Sequence, residues 1–212
     1  MNNKEIPLVP GNIYHVFNHA NGSENLFKSR DNFLYFLQLY AKRIQPLAKT
    51  FAYCLMPNHI HFAVQIKSEF ELMLEWENRF KDSEENGTTP PKLINDFPEY
   101  VSQRFGKFFQ SYSQAFNRQQ NRMGSLFIPN FKRKPVTGKI HLNQNVHYIH
   151  SNPVHHGFTK AMLDWEFSSI HAYWLDKQTK LAKGEVLEDF GGLEKFKSIH
   201  QNSLDLNMDF EF

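Results

Sequence analysis

The sequence has very little cysteine and no long apolar run. Cys54 is the single cysteine among 212 residues, so the chain can form neither an internal disulfide nor a multi-cysteine zinc site. The best apolar candidate, residues 33–41, is far shorter than the roughly 20 residues that cross a bilayer. The N-terminal segment carries no basic region followed by an apolar stretch. We therefore expect a cytoplasmic protein that has no membrane partner.

Acidic residues are missing from one long internal window. Residues 100–163 contain nine lysines and arginines and not one aspartate or glutamate, whereas the rest of the chain carries 15 basic and 22 acidic residues. A basic surface with interleaved aromatic residues is typical of proteins that contact phosphates and unpaired bases. The alternative is an ordinary solvated basic face. The window favours a nucleic-acid partner.

Hydrophobic periodicity predicts an α+β protein. With 41% hydrophobic residues, the chain is long enough to bury a core of its own. The pattern predicts strands at 11–19, 49–55, 59–66 and 126–136, and helices at 30–45, 98–121 and 139–151, the last ended by Asn152-Pro153. This β-α-β-β-α-β order is that of a ferredoxin-like palm, an antiparallel sheet with helices on one face. The helix that carries Tyr148 is then an addition at the C-terminal end.

A pair of histidines on one predicted strand is the sharpest local signal. His59 and His61 are two residues apart, so both side chains leave the same face of the strand, opposite the apolar residues. Their Cβ atoms are then about 6 to 7 Å apart, a separation that one divalent cation can bridge. With 11 histidines in the chain, the alternative is a chance pair on a solvated strand.

The predicted helix at 139–151 places a phenol and two carboxamides on one flank. At about 100° per residue, Asn145, Tyr148 and Asn152 point in similar directions. A tyrosine nucleophile needs help, because its reference pKa is about 10. A neighbouring metal ion would provide that help. The alternative for Tyr148 is a half-buried structural residue.

Two motifs together resemble a known family. The stretch YCLMPNHIHF at 53–62, followed far downstream by YIHSNPV at 148–154, resembles the single-tyrosine transposases of the HUH endonuclease class. The subgroup with the greatest similarity is that of the REP-associated tyrosine transposases. Supporting stretches are GNIYHVF at 11–17, GSLF at 124–127 and WEFSSIHAY at 165–173, so the resemblance covers roughly residues 8–175.

The resemblance implies an activity and a set of site residues. It implies cleavage of single-stranded DNA, often beside a hairpin, with one divalent metal ion, Mg²⁺ or Mn²⁺. His59 and His61 match the two metal ligands, and Asn152 stands where many members have a glutamine ligand. Tyr148 matches the nucleophile, which forms a 5′-phosphotyrosine bond and releases a 3′-hydroxyl that later rejoins strands. Six basic residues flank the tyrosine helix in sequence and are assigned to the DNA backbone: Arg118, Arg122, Lys132, Arg133, Lys134 and Lys139.

The same interpretation divides the chain and leaves alternatives open. Residues 1–180 are assigned to the catalytic domain and residues 181–212 to an acidic peripheral helix or tail. An acidic insertion at about 68–99 is predicted as a short helix followed by a flexible stretch. One alternative is a domesticated, catalytically silent protein that binds DNA hairpins. Another is a zinc-dependent hydrolase that uses a third histidine. The sequence does not choose between a monomer and a homodimer, and DNA binding would associate the protein with the nucleoid.

Overall fold

Four antiparallel strands form the centre of the molecule. The computed structural model describes residues 6–87, 94–175 and 178–201. The strand order is β2-β3-β1-β4, and every neighbouring pair is antiparallel. The strands are Ile13–His19 (β1), Ala48–Leu55 (β2), His59–Ile66 (β3) and Lys132–Val136 (β4). The α+β class and the antiparallel sheet are confirmed.

The helices are inserted around this sheet in the predicted order, and the described residues contain more of them than the periodicity predicts. They are Arg30–Arg43 (α1), Glu69–Glu85 (α2), Phe97–Gln119 (α3), Gly138–His155 (α4), Ile170–Trp174 (α5), Lys183–Phe190 (α6) and Leu193–Gln201 (α7), with a short 3₁₀ helix at Met162–Asp164. Helix α2 lies between β3 and α3, in the acidic segment. None of the helices in the described ranges is long and apolar enough to cross a membrane.

The sheet is buried on both faces. Alternate residues of β3, from Ile60 to Ile66, join α1 and α3 in one aromatic-rich core that includes Phe36 and Phe108. The other face of the sheet packs against α4 through Val146 and Ile149. Because side chains alternate along a strand, His59 and His61 point toward α4 rather than toward α1 and α3. The predicted placement of helices on one face holds for α1 and α3, and α4 covers the opposite face.

Helix α4 runs further than the sequence predicts. The expected end at Asn152-Pro153 is wrong, since the helix continues through Pro153 to His155. A proline this close to the C-terminal end removes one backbone hydrogen bond, and the burial of Pro153 and its neighbours outweighs that loss. Asn152 is therefore a helical residue whose side chain has a defined direction.

The C-terminal segment is packed more tightly than a peripheral tail. Val186 and Phe190 of α6 and Phe196 of α7 are buried in the same core as α4. The segment was predicted to be peripheral because it is acidic, but its apolar residues recur at helical spacing and form one buried face. Residues 202–212 of the predicted tail lie outside the described residues.

A chain of hydrogen bonds also fastens α7 to α4. His200 Nδ1 lies 2.9 Å from the carbonyl oxygen of Phe196, which can only accept, so Nδ1 carries the proton. Neutral His200 then accepts at Nε2 from His150 Nδ1, 3.0 Å away. His150 Nε2 in turn accepts from the Ser169 hydroxyl at 2.7 Å. Three buried side chains thus link the end of the chain to the tyrosine helix.

The acidic segment at 68–99 is largely ordered around α2. Glu75 accepts a hydrogen bond from the Tyr100 hydroxyl at 2.6 Å and lies 3.8 Å from the guanidinium of Arg104 on α3. The prediction of a short helix is therefore too short, since α2 has 17 residues. The part of the predicted flexible insertion at 88–93 lies outside the described residues.

Candidate active site

Strands β1 and β3 bring several histidines together under α4. His59 and His61 lie on β3, and β1 runs beside it in register, with His19 opposite His59 and Phe17 opposite His61. The ring centroids of His59 and His61 are 5.2 Å apart. Both side chains are buried, with 2% and 1% of their surface exposed. The two predicted ligands therefore share one enclosed site.

Each histidine of the pair is oriented through its Nδ1 atom. His59 Nδ1 lies 2.7 Å from Asn58 Oδ1, and His61 Nδ1 lies 2.9 Å from His15 Nε2. Asn58 is the residue that turns the chain into β3, so the corner itself orients the first ring. A hydrogen bond at one ring nitrogen fixes the direction of the other, as in the outer shell of many metal sites.

The electrostatics keep these rings neutral. Burial, together with the neighbouring His156 and His19, lowers the pKa of His59 to about 3. Burial and then Lys134 lower the pKa of His15 to about 3. The pKa of His61 is well below its usual value for the same main reason, burial. A neutral imidazole is the form that binds a metal ion.

Tyr148 lies against this group from the helix side. Its ring centroid is 5.8 Å from that of His61 and 5.8 Å from that of His15, and it meets both rings edge-on. The Tyr148 side chain is half-buried, whereas its helix neighbours Val146 and Ile149 are fully buried in the core. The structure thus brings the predicted nucleophile and the predicted ligand pair together within one chain.

The two carboxamides on the flank of Tyr148 are buried and poorly satisfied. Asn152 Nδ2 donates to the backbone oxygen of Tyr148 at 2.8 Å, and Asn152 Oδ1 has no hydrogen-bond partner among the described residues. Neither amide atom of Asn145, which is fully buried, has a partner in the same set. An unsatisfied buried amide costs about 1 to 3 kcal/mol. Two unsatisfied amides on the same flank of one helix indicate that this flank has a functional role.

The donor set is compatible with a divalent metal ion. In the described part of the chain, no three histidine, cysteine or acidic side chains are grouped as a metal site. The pair of oriented histidines and the unsatisfied Asn152 Oδ1 offer two nitrogens and one oxygen instead. A mixed set of this kind suits Mn²⁺, with substrate oxygens completing the shell. These three residues are the ones that would hold the ion.

The six predicted DNA-binding cations are placed unequally. Lys132 and Lys134 of β4 lie opposite Phe17 and His15, on the same side of the sheet as Tyr148. The other four lie elsewhere: Arg118 is exposed near the end of α3, Arg133 is buried, Arg122 is 2.9 Å from Glu24, and Lys139 is 2.6 Å from Asp189. Of the six, Lys132 and Lys134 are therefore the two that the strand register places on the Tyr148 side of the sheet.

Three histidines of the site were not assigned to it from the sequence. His15 and His19 come from β1, and the exposed His156 follows α4 and lies 4.4 Å, ring centroid to centroid, from His59. The alternation of His15, Phe17 and His19 on one face of β1 was a usable signal. His147 and His150 do not belong to this group, since their rings pack against His200 of α7.

Comparisons with known proteins bear on the family resemblance and on the fold. No protein-family model matches the chain. The chain is similar to a Haemophilus influenzae protein described as "Putative REP-associated tyrosine transposase", with 26% identity over 147 residues, covering 68% of this chain and 67% of that protein. It also resembles the solved structure of a REP-associated tyrosine transposase bound to a REP hairpin, with a TM-score of 0.53 and 18% identity over 78% of this chain and 81% of that chain. The structural likeness supports the fold, and the resemblance to the REP-associated tyrosine transposases is confirmed.

Proposed function

We propose that the protein is a transposase-like, metal-dependent endonuclease and strand transferase that acts on single-stranded DNA. The observation that carries the proposal is the 5.8 Å separation between the rings of Tyr148 and His61. It joins the two motifs that carry the family resemblance, although 86 residues lie between His61 and Tyr148 in sequence. Because both residues belong to one chain, the proposal requires no second copy.

In the proposed reaction, Tyr148 attacks a backbone phosphate. Its phenolic oxygen forms a bond to phosphorus, the bond from phosphorus to the 3′-oxygen breaks, and the phenol loses the proton that the leaving oxygen gains. The products are a 5′-phosphotyrosine and a free 3′-hydroxyl, and attack by that hydroxyl reverses the step. A Mg²⁺ or Mn²⁺ ion, when bound, supplies charge stabilisation at the phosphate. His59, His61 and Asn152 hold the ion, and the helix orients the phenol.

The proposed DNA partner is a single strand beside a hairpin. The solved relative is bound to a REP hairpin, and the basic residues Lys132 and Lys134 lie on the Tyr148 side of the sheet. Two half-buried lysines on an edge strand beside a phosphate-transfer site would neutralise the backbone that enters it. Binding must then weaken steeply with salt, with a slope of about −0.7 for each phosphate neutralised on a single strand.

The proposal is tested with labelled single-stranded DNA from the flanks of the gene that encodes the protein. Wild-type protein and Tyr148→Phe are incubated with this DNA in Mn²⁺ or in chelator and resolved on denaturing and native gels. We expect a covalent protein-DNA band only for wild-type protein with metal, and equal band shifts for both proteins. The control is Tyr53→Phe, which removes a phenol hydroxyl from β2 in the same way. This variant should still form the covalent protein-DNA band.

The other outcomes identify the alternatives. Band shifts without any covalent band would favour a catalytically silent hairpin-binding protein. Cleavage by Tyr148→Phe without a covalent band would favour a hydrolase in which the tyrosine is structural. Absence of both binding and cleavage would overturn the DNA assignment and leave the fold.

A further inference from the structure

A second concave feature lies away from Tyr148, between α3 and the segment at 124–133. It is a groove of about 760 Å³. Clefts of this size commonly hold small ligands or single chemical groups of larger ones. Asn18, at the end of β1, closes one side of the groove and pairs in register with Ile60, which neighbours both His59 and His61. The groove therefore begins close to the metal-ligand pair but opens beside α3.

The groove contains a buried guanidinium that has no carboxylate partner. Arg133 is 6% exposed, and none of the ion pairs among the described residues includes it. Its Nη1 donates to Ser102 Oγ at 2.8 Å, and its guanidinium lies 4.8 Å from the Phe131 ring centroid. Its Nε has no hydrogen-bond partner in the described set. Burying such a charge without a counter-ion is unfavourable unless a ligand satisfies it.

The walls of the groove are neutral amides rather than further cations. Five carboxamide side chains of α3 and the following loop line it: Gln103, Gln110, Gln114, Asn117 and Asn130. A carboxamide both donates and accepts hydrogen bonds, which is also the property of a base edge. The carboxylate of Glu99 lines the same groove. A carboxylate repels a phosphate but accepts from the N–H groups of a base, so the lining favours a base over a phosphate.

A glycine keeps one wall of the groove open. Gly106 lies in the middle of α3 and faces the groove, and an added Cβ would meet no atom within 4 Å. Glycine in a helix interior is less favourable than alanine by about 1 kcal/mol. The fold does not need the small residue at this position. The small residue leaves room for another molecule to approach the helix backbone closely.

We propose that this groove binds an unpaired nucleobase of the single strand, with Arg133 and the wall amides contacting the base edge. The proposal rests on the proposed function for its DNA partner. Strand β4 provides the route, because it is an edge strand whose Lys132 and Lys134 face the Tyr148 side while Arg133 faces α3. A strand that crosses this edge contacts both sites. The groove would then supply sequence preference that backbone contacts alone do not give.

The test measures DNA binding without cleavage. The Tyr148→Phe protein in chelator is titrated into fluorescent single-stranded oligonucleotides from the gene flanks, with each position in turn made abasic. We expect one abasic position to weaken binding at least tenfold. Adding Gly106→Leu, which fills the groove, should weaken binding similarly and abolish the abasic effect, while Gly106→Ala stays within about threefold.

Folding is controlled by thermal unfolding and by a matched substitution. Gly106→Ala and Gly106→Leu remove a helical glycine, so both should keep or raise the unfolding temperature. Gly184→Leu makes the same change at an exposed helical position on α6 with open space around it. This variant should leave the abasic effect unchanged. A second test uses the double variant Gln110→Ala/Gln114→Ala. Both residues are exposed, so the fold should be unaffected, and the loss of affinity caused by the abasic position should become smaller.

Different failures point to different errors. The proposal would be overturned if Arg133 contacts a phosphate. In that case Arg133→Gln would weaken binding to all oligonucleotides equally, Arg133→Lys would bind fully, and no abasic position would change the affinity. An abasic effect that Gly106→Leu abolishes, in a protein that never forms a covalent band, would support the groove and overturn the cleavage proposal. Absence of any DNA binding by the parent protein would overturn both.

Discussion

The Nε2 atom of His15 lies 2.9 Å from the Nδ1 atom of His61. The contact joins β1 to β3 beneath α4, and both rings meet the Tyr148 ring edge-on. If His61 binds a metal ion through Nε2, its Nδ1 carries the proton and donates to His15. His15 then acts as a positioning residue for the ligand and does not need to touch the substrate.

The first prediction concerns this contact. His15→Phe keeps the ring shape but removes the acceptor, and we expect Mn²⁺ affinity to fall by about 10- to 100-fold. His15→Gln offers an amide oxygen and should recover part of the affinity. Isothermal titration calorimetry with Mn²⁺ measures the effect without relying on cleavage. His155→Phe, at an exposed histidine on α4, is the control. Unchanged affinity in His15→Phe would show that the contact is only structural.

The second prediction concerns the unsatisfied amide of Asn145. Asn145→Leu replaces a fully buried carboxamide that has no hydrogen-bond partner in the described residues with an apolar group of similar branching. We expect the free energy of unfolding to rise by about 1 kcal/mol, because a desolvated polar group is removed. Covalent band formation should fall, because the residue lies on the flank of Tyr148. A destabilised variant would show that Asn145 has a partner in solution.

The third prediction concerns acid sensitivity through His200. Burial, with a smaller effect of His147, lowers the pKa of His200 to about 3, so the folded protein holds this ring neutral against His150. The unfolded chain binds a proton below about pH 6.5, and stability is lost as the pH falls through this range. The contribution of one such histidine is about 1.4 kcal/mol for each pH unit.

Urea unfolding at several pH values between 7 and 5 measures this contribution. His200→Gln should be less stable at pH 7 but lose less stability on acidification than the wild-type protein. His155→Gln is the exposed control. Equal pH slopes in all three proteins would contradict the assignment of the slope to His200.

The fourth prediction concerns the docking of the C-terminal helices. Phe196 is fully buried, and its ring is stacked on Tyr173 at 4.7 Å and on His200 at 3.9 Å. Phe196→Ala should cost about 3 to 5 kcal/mol, as in other buried aromatic truncations. Lys195→Ala, a polar neighbour on α7, should cost less than 1 kcal/mol. A loss of less than 1 kcal/mol in Phe196→Ala would show that the segment is peripheral, as its composition suggests.

Local patterns predicted the elements well where one periodicity dominated. The bounds of β3 agree with its alternating apolar and histidine residues, and α3 begins and ends within two residues of its predicted bounds. The end of α4 was wrong because the backbone preference before Pro153 is weak compared with the burial of Asn152 and its neighbours. Strand β4 is shorter than expected, because its regular pairing with β1 covers Lys132–Val136, whereas the segment before it makes an isolated bridge from Phe127 to Ala20 and one bond from Ile128 N to the His19 oxygen.

The site was predicted in part, for a physical reason. His59, His61 and Tyr148 were found through motifs, whereas His15 and His156 reach the site only because β1 pairs with β3 and α4 crosses the sheet. Such contacts are not encoded in local spacing. The groove at Arg133 was missed for a similar reason. In the sequence Arg133 was interpreted as one of several adjacent basic residues. Because side chains alternate along a strand, its side chain lies on the opposite face of the sheet from those of Lys132 and Lys134.

The central claim is that Tyr148 becomes covalently attached to the 5′ end of cleaved DNA. The most direct measurement is protease digestion of the Mn²⁺ reaction with a short single-stranded oligonucleotide, followed by mass spectrometry of the peptide-nucleotide conjugate. The account predicts one conjugate, with the 5′-phosphate of the downstream fragment on the Tyr148 peptide and a free 3′-hydroxyl on the upstream fragment. Cleaved DNA with a free 5′-phosphate and an unmodified Tyr148 peptide would contradict it.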